Sequence, residues 1–174
     1  MLPETFFGTP ELTAQQLVDL LISEHDELFV AFAAEIASST VTRDEVEILA
    51  SIVEREANTP ESMRTVAGIF FNRLSIGMAL QADASIEYVI DTPLGALPAG
   101  QLASELRELD SPYNTYLYPG LPPTPIGNPG RDAITAVLNP ITSDYFYYIT
   151  GNDGEFYYAE TYDQHLLNIE RHLR

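Results

Sequence analysis

Four times along this chain the same local instruction appears: a threonine, then residues suited to a first helical turn, then apolar side chains at helical spacing. The threonine hydroxyl can accept a free backbone N–H of the first turn, and a Glu or Gln three residues later can return the bond. Thr9-Pro10-Glu11 combines a cap, a proline at the first helical position and an acid near the positive helix end. Leu17, Leu20, Leu21, Leu28, Phe32 and Ile36 follow, so one long helix is predicted there, ended by Ser38-Ser39-Thr40. Thr42-Arg43-Asp44-Glu45 is a capping box and predicts a second helix through about Ala57. Thr59-Pro60-Glu61 starts a third, which carries Met63, Val66, Ile69, Phe70 and Leu74 and stops at Gly77. Thr161 with Gln164 caps a last helix that runs to the end.

Between these signals the pattern changes. A short helix is predicted over 84–91, with Asp83 placed as its N-cap. Residues 92–130 hold most of the prolines and read as a long ordered loop or lid. Asn128-Pro129 restarts a helix through Leu138. The strings "DYFYYIT" (144–150) and "EFYYAE" (155–160) flank Gly151-Asn152-Asp153-Gly154 and predict an aromatic β-hairpin. Long helices with a hairpin, and no βαβ alternation, imply an α+β fold. At 174 residues the chain is expected to form a single domain, 1–174.

Charge removes several function classes. Eight basic residues, all arginine, face 26 acidic ones, for a net charge of −18. Such a surface repels nucleic acid and anionic lipid. Without cysteine there is neither disulfide nor thiolate metal site, and His25, His165 and His172 have no ligand spacing, so no metal or other cofactor is expected. No apolar run reaches 18 residues, and "MLPETFFGTPE" has no basic region followed by an apolar block. The chain is therefore expected to be soluble as it stands, without signal peptide or span.

A helical wheel at about 100° per residue singles out one carboxyl group. Glu56 falls within about 40° of both Leu49 and Ile52, with Ile48 and Val53 alongside. Glu47, Ser51, Glu54 and Asn58 take the other side, which makes Glu54 a solvated surface acid. An acid among apolar side chains is costly unless paired, neutral or at a cleft, and apolar surroundings raise its pKa as a general acid requires. The structural alternative is an ion pair near the helix end, with Arg73 as partner. Other segments divide in the same way. The hairpin aromatics can fill a core or stack on sugar rings. The loop 113–130 can be a structural Ω-loop or bring backbone to a ligand. Asn72, Gln81 and Asp83 can bind hydroxyl and acetamido groups or cap helices.

Several strings together resemble one family. "LASIVEREA" (49–57), "VAGIFFNRLSIGMALQADASIEYVI" (66–90), "SPYNTYLYPGLPPTPIGNPG" (111–130), "AVLNP" (136–140) and "TYDQH" (161–165) stand in the order found in endolytic murein transglycosylases of the MltG/YceG-like type. The resemblance covers roughly 45–172, with the "LPETFF" start a fainter match. It implies a helical catalytic part with a small β portion, and peptidoglycan glycan strands as substrate. It places the catalytic acid on the second glutamate of the E-x-E string, which is Glu56, the residue picked by the wheel. Asn72, Gln81, Asp83, Tyr113, Asn114 and Tyr116 are then the candidates for orienting sugar and acid. The family's membrane anchor and LysM-like subdomain have no counterpart in these residues, so the chain resembles the catalytic part of a protein that works at the extracytoplasmic face of the cytoplasmic membrane, with cell-wall synthesis enzymes as further partners. With no lysine, a pyridoxal phosphate Schiff base is excluded. The sequence departs from the family pattern in reading Glu54-Arg55-Glu56 for E-K-E, Gln81-Ala82-Asp83-Ala84-Ser85 for the QSDPT-like string, Phe156 for a frequent histidine and Leu166 for a frequent asparagine. Three other readings follow from the same residues: a hydrolytic muramidase using Asp83 as second carboxylate, a non-catalytic glycan-binding module, and a scaffold for cell-wall synthesis enzymes.

Overall fold

The computed structural model describes residues 11–90 and 108–173. Helices α1 (Ala14–Ala31), α2 (Ala33–Ser38), α3 (Arg43–Glu56), α4 (Pro60–Ser75) and α5 (Asp83–Ile90) come first; of the loop expected over 92–130, residues 108–130 are described and 92–107 lie outside the described residues. Helix α6 (Arg131–Leu138), strands β1 (Tyr147–Thr150) and β2 (Phe156–Ala159), and helix α7 (Tyr162–His172) complete an α+β fold. No helix among the described residues is long and apolar enough to cross a membrane.

The capping signals are realised with small displacements. Thr42 and Glu45 form a reciprocal box at α3, and Thr161 and Gln164 do so at α7. At α4, Thr59 pairs with Ser62 and Pro60 takes the first helical position. Gly77, at φ 69, ends α4, its N–H and that of Met78 returning to Leu74 and Arg73 carbonyls. The first helix departs from expectation twice. Thr13 with Gln16 supplies its capping box, whereas Thr9 lies outside the described residues. At Phe32 (φ −101, ψ 6) the helix breaks, which turns the expected single helix into α1 and α2 while burying the Phe32 ring.

Helix α3 is the axis of the core. Val46, Ile48, Leu49, Ala50, Ser51, Ile52 and Val53 are all buried, so the helix is covered on nearly every side by α4, α5, α6 and the loop that precedes α6. The wheel's division into apolar and solvated faces therefore fails for this helix. Ser51, assigned to the outer face, is buried, and its hydroxyl accepts the N–H of Ile126 at 3.0 Å. Helix α1 joins through Leu28, Phe29 and Phe32, and through His25 to Glu47 at 2.9 Å and Arg43 to Asp26 at 2.7 Å.

Helix α4 runs unusually close to the segment after α6. A Cβ on Gly68 would collide with the carbonyl oxygen of Ile141, so only glycine permits this approach. The Ile141 N–H bonds to Arg64 O at 3.0 Å, and Arg64 Nε donates to Asn139 O at 2.7 Å. From there the chain enters the hairpin, paired Tyr147 to Ala159 through Thr150 to Phe156, with Tyr148 and Phe156 packed on the core and α7 covering both strands. Gly68→Ala is expected to lower stability by about 1–3 kcal/mol through overpacking. Gly77→Ala meets open space and is expected to lose about 1 kcal/mol from its left-handed backbone alone. Urea unfolding of the two variants checks this; equal losses would show that α4 has room to move.

Candidate active site

A cleft of about 710 Å³ opens where the end of α3, the start of α5, the hairpin and α7 converge. Glu56 closes α3, and at Ala57 the backbone turns extended (φ −140, ψ 152), which leaves the Glu56 carboxyl at the cleft and not in the core stack. Its two oxygens are held differently. Oε1 accepts the Ala84 N–H at 3.1 Å, one of the free donors of the first turn of α5. Oε2 accepts the Tyr148 hydroxyl at 2.8 Å. Burial raises the Glu56 pKa above the ordinary carboxyl value; the Ala84 and Tyr148 hydrogen bonds oppose the shift, and the negative charges of Asp83 and Glu87 add to it.

Around this acid the cleft has two unlike walls. One is polar: Arg73, Gln81, Asp83 and Tyr116. Arg73 is buried, its Nε donating to Phe146 O at 2.7 Å and its Nη1 to Leu80 O, with its guanidinium 5.7 and 6.0 Å from the Tyr147 and Tyr148 ring centres. Two backbone carbonyls thus hold the group that the sequence offered as an ion-pair partner for Glu56. Tyr116 donates to Asp83 Oδ1 at 2.5 Å. Gln81 sits at φ 50, and the Thr115 carbonyl and hydroxyl accept the N–H groups of Gln81 and Ala82, which fixes this turn to the loop. The other wall is apolar and aromatic, built by Tyr147 and Ile149 from β1 and by Tyr162, His165, Ile169 and Leu173 from the last helix and its end. His165 stacks on Tyr147 at 5.3 Å, and burial followed by the charge of Arg73 lowers its pKa, so the ring is neutral near pH 7.

Of the residues named from sequence, Glu56, Gln81, Asp83 and Tyr116 come together in the cleft. Asn72, Tyr113 and Asn114 do not line it. The Asn72 amide donates to the carbonyls of Ser143 and Tyr145 and holds the approach to the hairpin. Asn114 is fully buried, its amide bonding Leu109 O and its carbonyl accepting the Tyr116 N–H. Tyr113 bonds Thr124 at 2.6 Å and packs its ring on Tyr88. These three build the frame of the loop and hairpin. Asp83 also corrects an expectation: it is the first residue of α5, not its cap, because Glu56 already takes the Ala84 N–H and Tyr116 draws the Asp83 carboxylate. Glu54 is a second correction. It is half-buried, and both oxygens accept the Gly130 N–H (3.2 and 3.0 Å) at the head of α6, which begins at Arg131 and not at Pro129. Burial raises its pKa, opposed by the Gly130 bond. Tyr148 and His165 were not singled out from the sequence; for Tyr148 the only local signal was alternation along β1, which puts it on the same face as Phe146.

The model of the YceG-like family matches residues 1–171. The chain belongs to the YceG-like family. Proteins named endolytic murein transglycosylase from Streptococcus pneumoniae (strain D39) and Bacillus subtilis (strain 168) are 30% and 29% identical to it, over 99% of this chain. The chain spans only 32% and 47% of the length of these two relatives. A crystal structure of a yceG-like protein from Listeria monocytogenes superimposes with a TM-score of 0.82 at 30% identity, covering 94% of this chain and 52% of that one.

A raised carboxyl pKa has a stability signature. Because the folded chain binds the Glu56 proton more tightly than the unfolded one, wild-type stability falls as pH rises from the ordinary carboxyl value of 4.5 towards the raised one. Glu56→Gln does not titrate. Its stability relative to wild type is therefore expected to improve as pH rises above 4.5 and to level off once pH passes the raised pKa, as chemical denaturation at a series of pH values would show. A difference independent of pH would mean that Glu56 ionises freely.

Proposed function

We propose that this YceG-like domain is an endolytic lytic transglycosylase that cuts the β-1,4 bond between N-acetylmuramic acid and N-acetylglucosamine within peptidoglycan strands. The names carried by its relatives support the activity class. The observation that carries the chemistry is the setting of Glu56: a carboxyl at a cleft, reluctant to ionise, with each oxygen fixed by its own donor. Protonated Glu56 gives its proton to the glycosidic oxygen as the bond to C1 breaks, and N-acetylglucosamine leaves as an alcohol. Positive charge grows at C1 of the muramic acid, where the substrate's own acetamido oxygen stabilises it. Ionised Glu56 then takes the proton of the C6 hydroxyl as that oxygen attacks C1. The product is a 1,6-anhydro sugar, no water is consumed, and one carboxyl serves as acid and then as base.

In this reading Gln81, Asp83 and Tyr116, which line the cleft, orient the sugars. Asn72, Tyr113 and Asn114 contribute by holding the surrounding segments. Peptidoglycan lies outside the cytoplasmic membrane, so the domain acts on the extracytoplasmic side, where cell-wall synthesis enzymes are its natural neighbours. A second reading has one observation in its favour. Asp83 lines the same cleft as Glu56, and a second carboxylate is what a hydrolytic muramidase needs.

Purified sacculi and mass spectrometry of the products separate these readings. The transglycosylase yields anhydro ends and the muramidase reducing ends. Glu56→Gln is expected to abolish product with the fold intact. Glu54→Gln is expected to retain much of the activity, since a neutral amide can still accept the Gly130 N–H. The opposite ranking of these two variants refutes the assignment. Binding of glycan without any product from the wild-type chain would make it a binding module.

A further inference from the structure

We propose that Tyr148 is the positioning residue of the acid, its hydroxyl holding Glu56 Oε2 through both halves of the reaction so that a carboxyl that has given up its proton keeps the orientation needed to accept another. This rests on the reading of Glu56 as acid and then base. The two donors on Glu56 are chemically unlike. The Ala84 backbone N–H can only donate, so Oε1 is an acceptor in every protonation state. A tyrosine hydroxyl donates strongly to an ionised carboxylate and only weakly to a protonated one, so the acid's own proton stays free to point into the cleft. Tyr148 thus holds Oε2 in both states and favours the ionised one.

The ring is well fixed for that task. It meets Phe70 edge-on at 6.3 Å, tilts against Phe156 at 6.4 Å and packs on the main core. Opposite it in the hairpin is Tyr158. Burial first, and then the charge of Glu56, push the phenol pKa well above its ordinary value, so Tyr148 keeps its proton and does not replace Glu56 as the acid. The other charged or titratable groups that face this carboxyl come from every element around it. They are Asp83 and Glu87 on α5, Arg73 on α4, Tyr116 on the loop, Tyr147 on β1 and His165 on α7. Asp83 and Glu87 raise the proton affinity of Glu56 by repulsion; Tyr148 works in the opposite sense, by a hydrogen bond to the ionised form.

The test uses Tyr148→Phe, which keeps the ring and removes the hydroxyl. Carboxyl-carbon NMR follows the Glu56 titration, its signal assigned by its disappearance in Glu56→Gln. With the donor to the ionised form gone, Glu56 is expected to titrate at higher pH than in wild type, and the basic limb of the pH–rate profile should move up with it. On glycan strands kcat should fall about tenfold to a hundredfold, the kinetic equivalent of a hydrogen bond to a charged group, with KM little changed. Tyr145→Phe, whose ring stacks on Tyr158, should move none of these. Should Tyr148→Phe fold poorly, 3-fluorotyrosine at position 148 gives the opposite sign: a stronger donor, hence a lower Glu56 titration. An unmoved titration in folded Tyr148→Phe, or a rise in KM alone, overturns the proposal. If instead Glu56→Gln still cuts strands while Tyr148→Phe shifts the titration, the acid/base assignment of Glu56 fails and the hydrogen-bonded clamp stands.

Discussion

A helix buried on nearly every side cannot end in carboxyl groups unless the surrounding protein supplies donors, because an unpaired buried charge costs far more than a packed domain can spare. Helix α3 ends in two such groups, and each finds a main-chain N–H at the head of a different helix. Glu54 takes Gly130 at α6 and Glu56 takes Ala84 at α5. The short E-x-E string therefore anchors two later helices as well as carrying an acid. Negative groups at helix N-termini are favoured by the free N–H groups and the helix dipole there, so the same contacts that satisfy the acids also fix where α5 and α6 begin.

The two acids are nonetheless set apart. Both oxygens of Glu54 converge on a single amide and lie outside the lining of the Glu56 cleft, whereas the oxygens of Glu56 are divided between a backbone donor and a phenol at the edge of that 710 Å³ opening. Across that opening the polar wall comes from α4, the 81–83 turn and the loop, and the aromatic wall from the hairpin and α7. This division suits an amphipathic ligand, with polar groups on its rim and C–H bonds on its faces. With a net charge of −18, the protein's long-range field repels anions, so recognition has to rest on short-range contacts inside the cleft.

What the sequence makes legible is short in range. Capping boxes span four residues, and those at Thr42 and Thr161 form as written; the α+β class follows from the same signals. The wheel puts Glu56 on the face of Leu49 and Ile52 but misjudges Glu54 and Ser51, because it assumes one continuous wet side and the middle of α3, residues 48–53, is buried all round. Asn72, Asn114 and Tyr113 carry polar groups that suit a sugar equally well, and only the fold reveals that carbonyls and hydroxyls up to 73 residues away have engaged them. Tyr148 lies 92 residues from Glu56, beyond the reach of any periodicity.

That separation along the chain has its own effect. The hold on both Glu56 oxygens exists only while the hairpin and the head of α5 are both docked against the end of α3. A molecule whose hairpin has come loose leaves Oε2 without its tyrosine donor. The setting of this carboxyl is therefore complete only once a hairpin 92 residues further along the chain has docked.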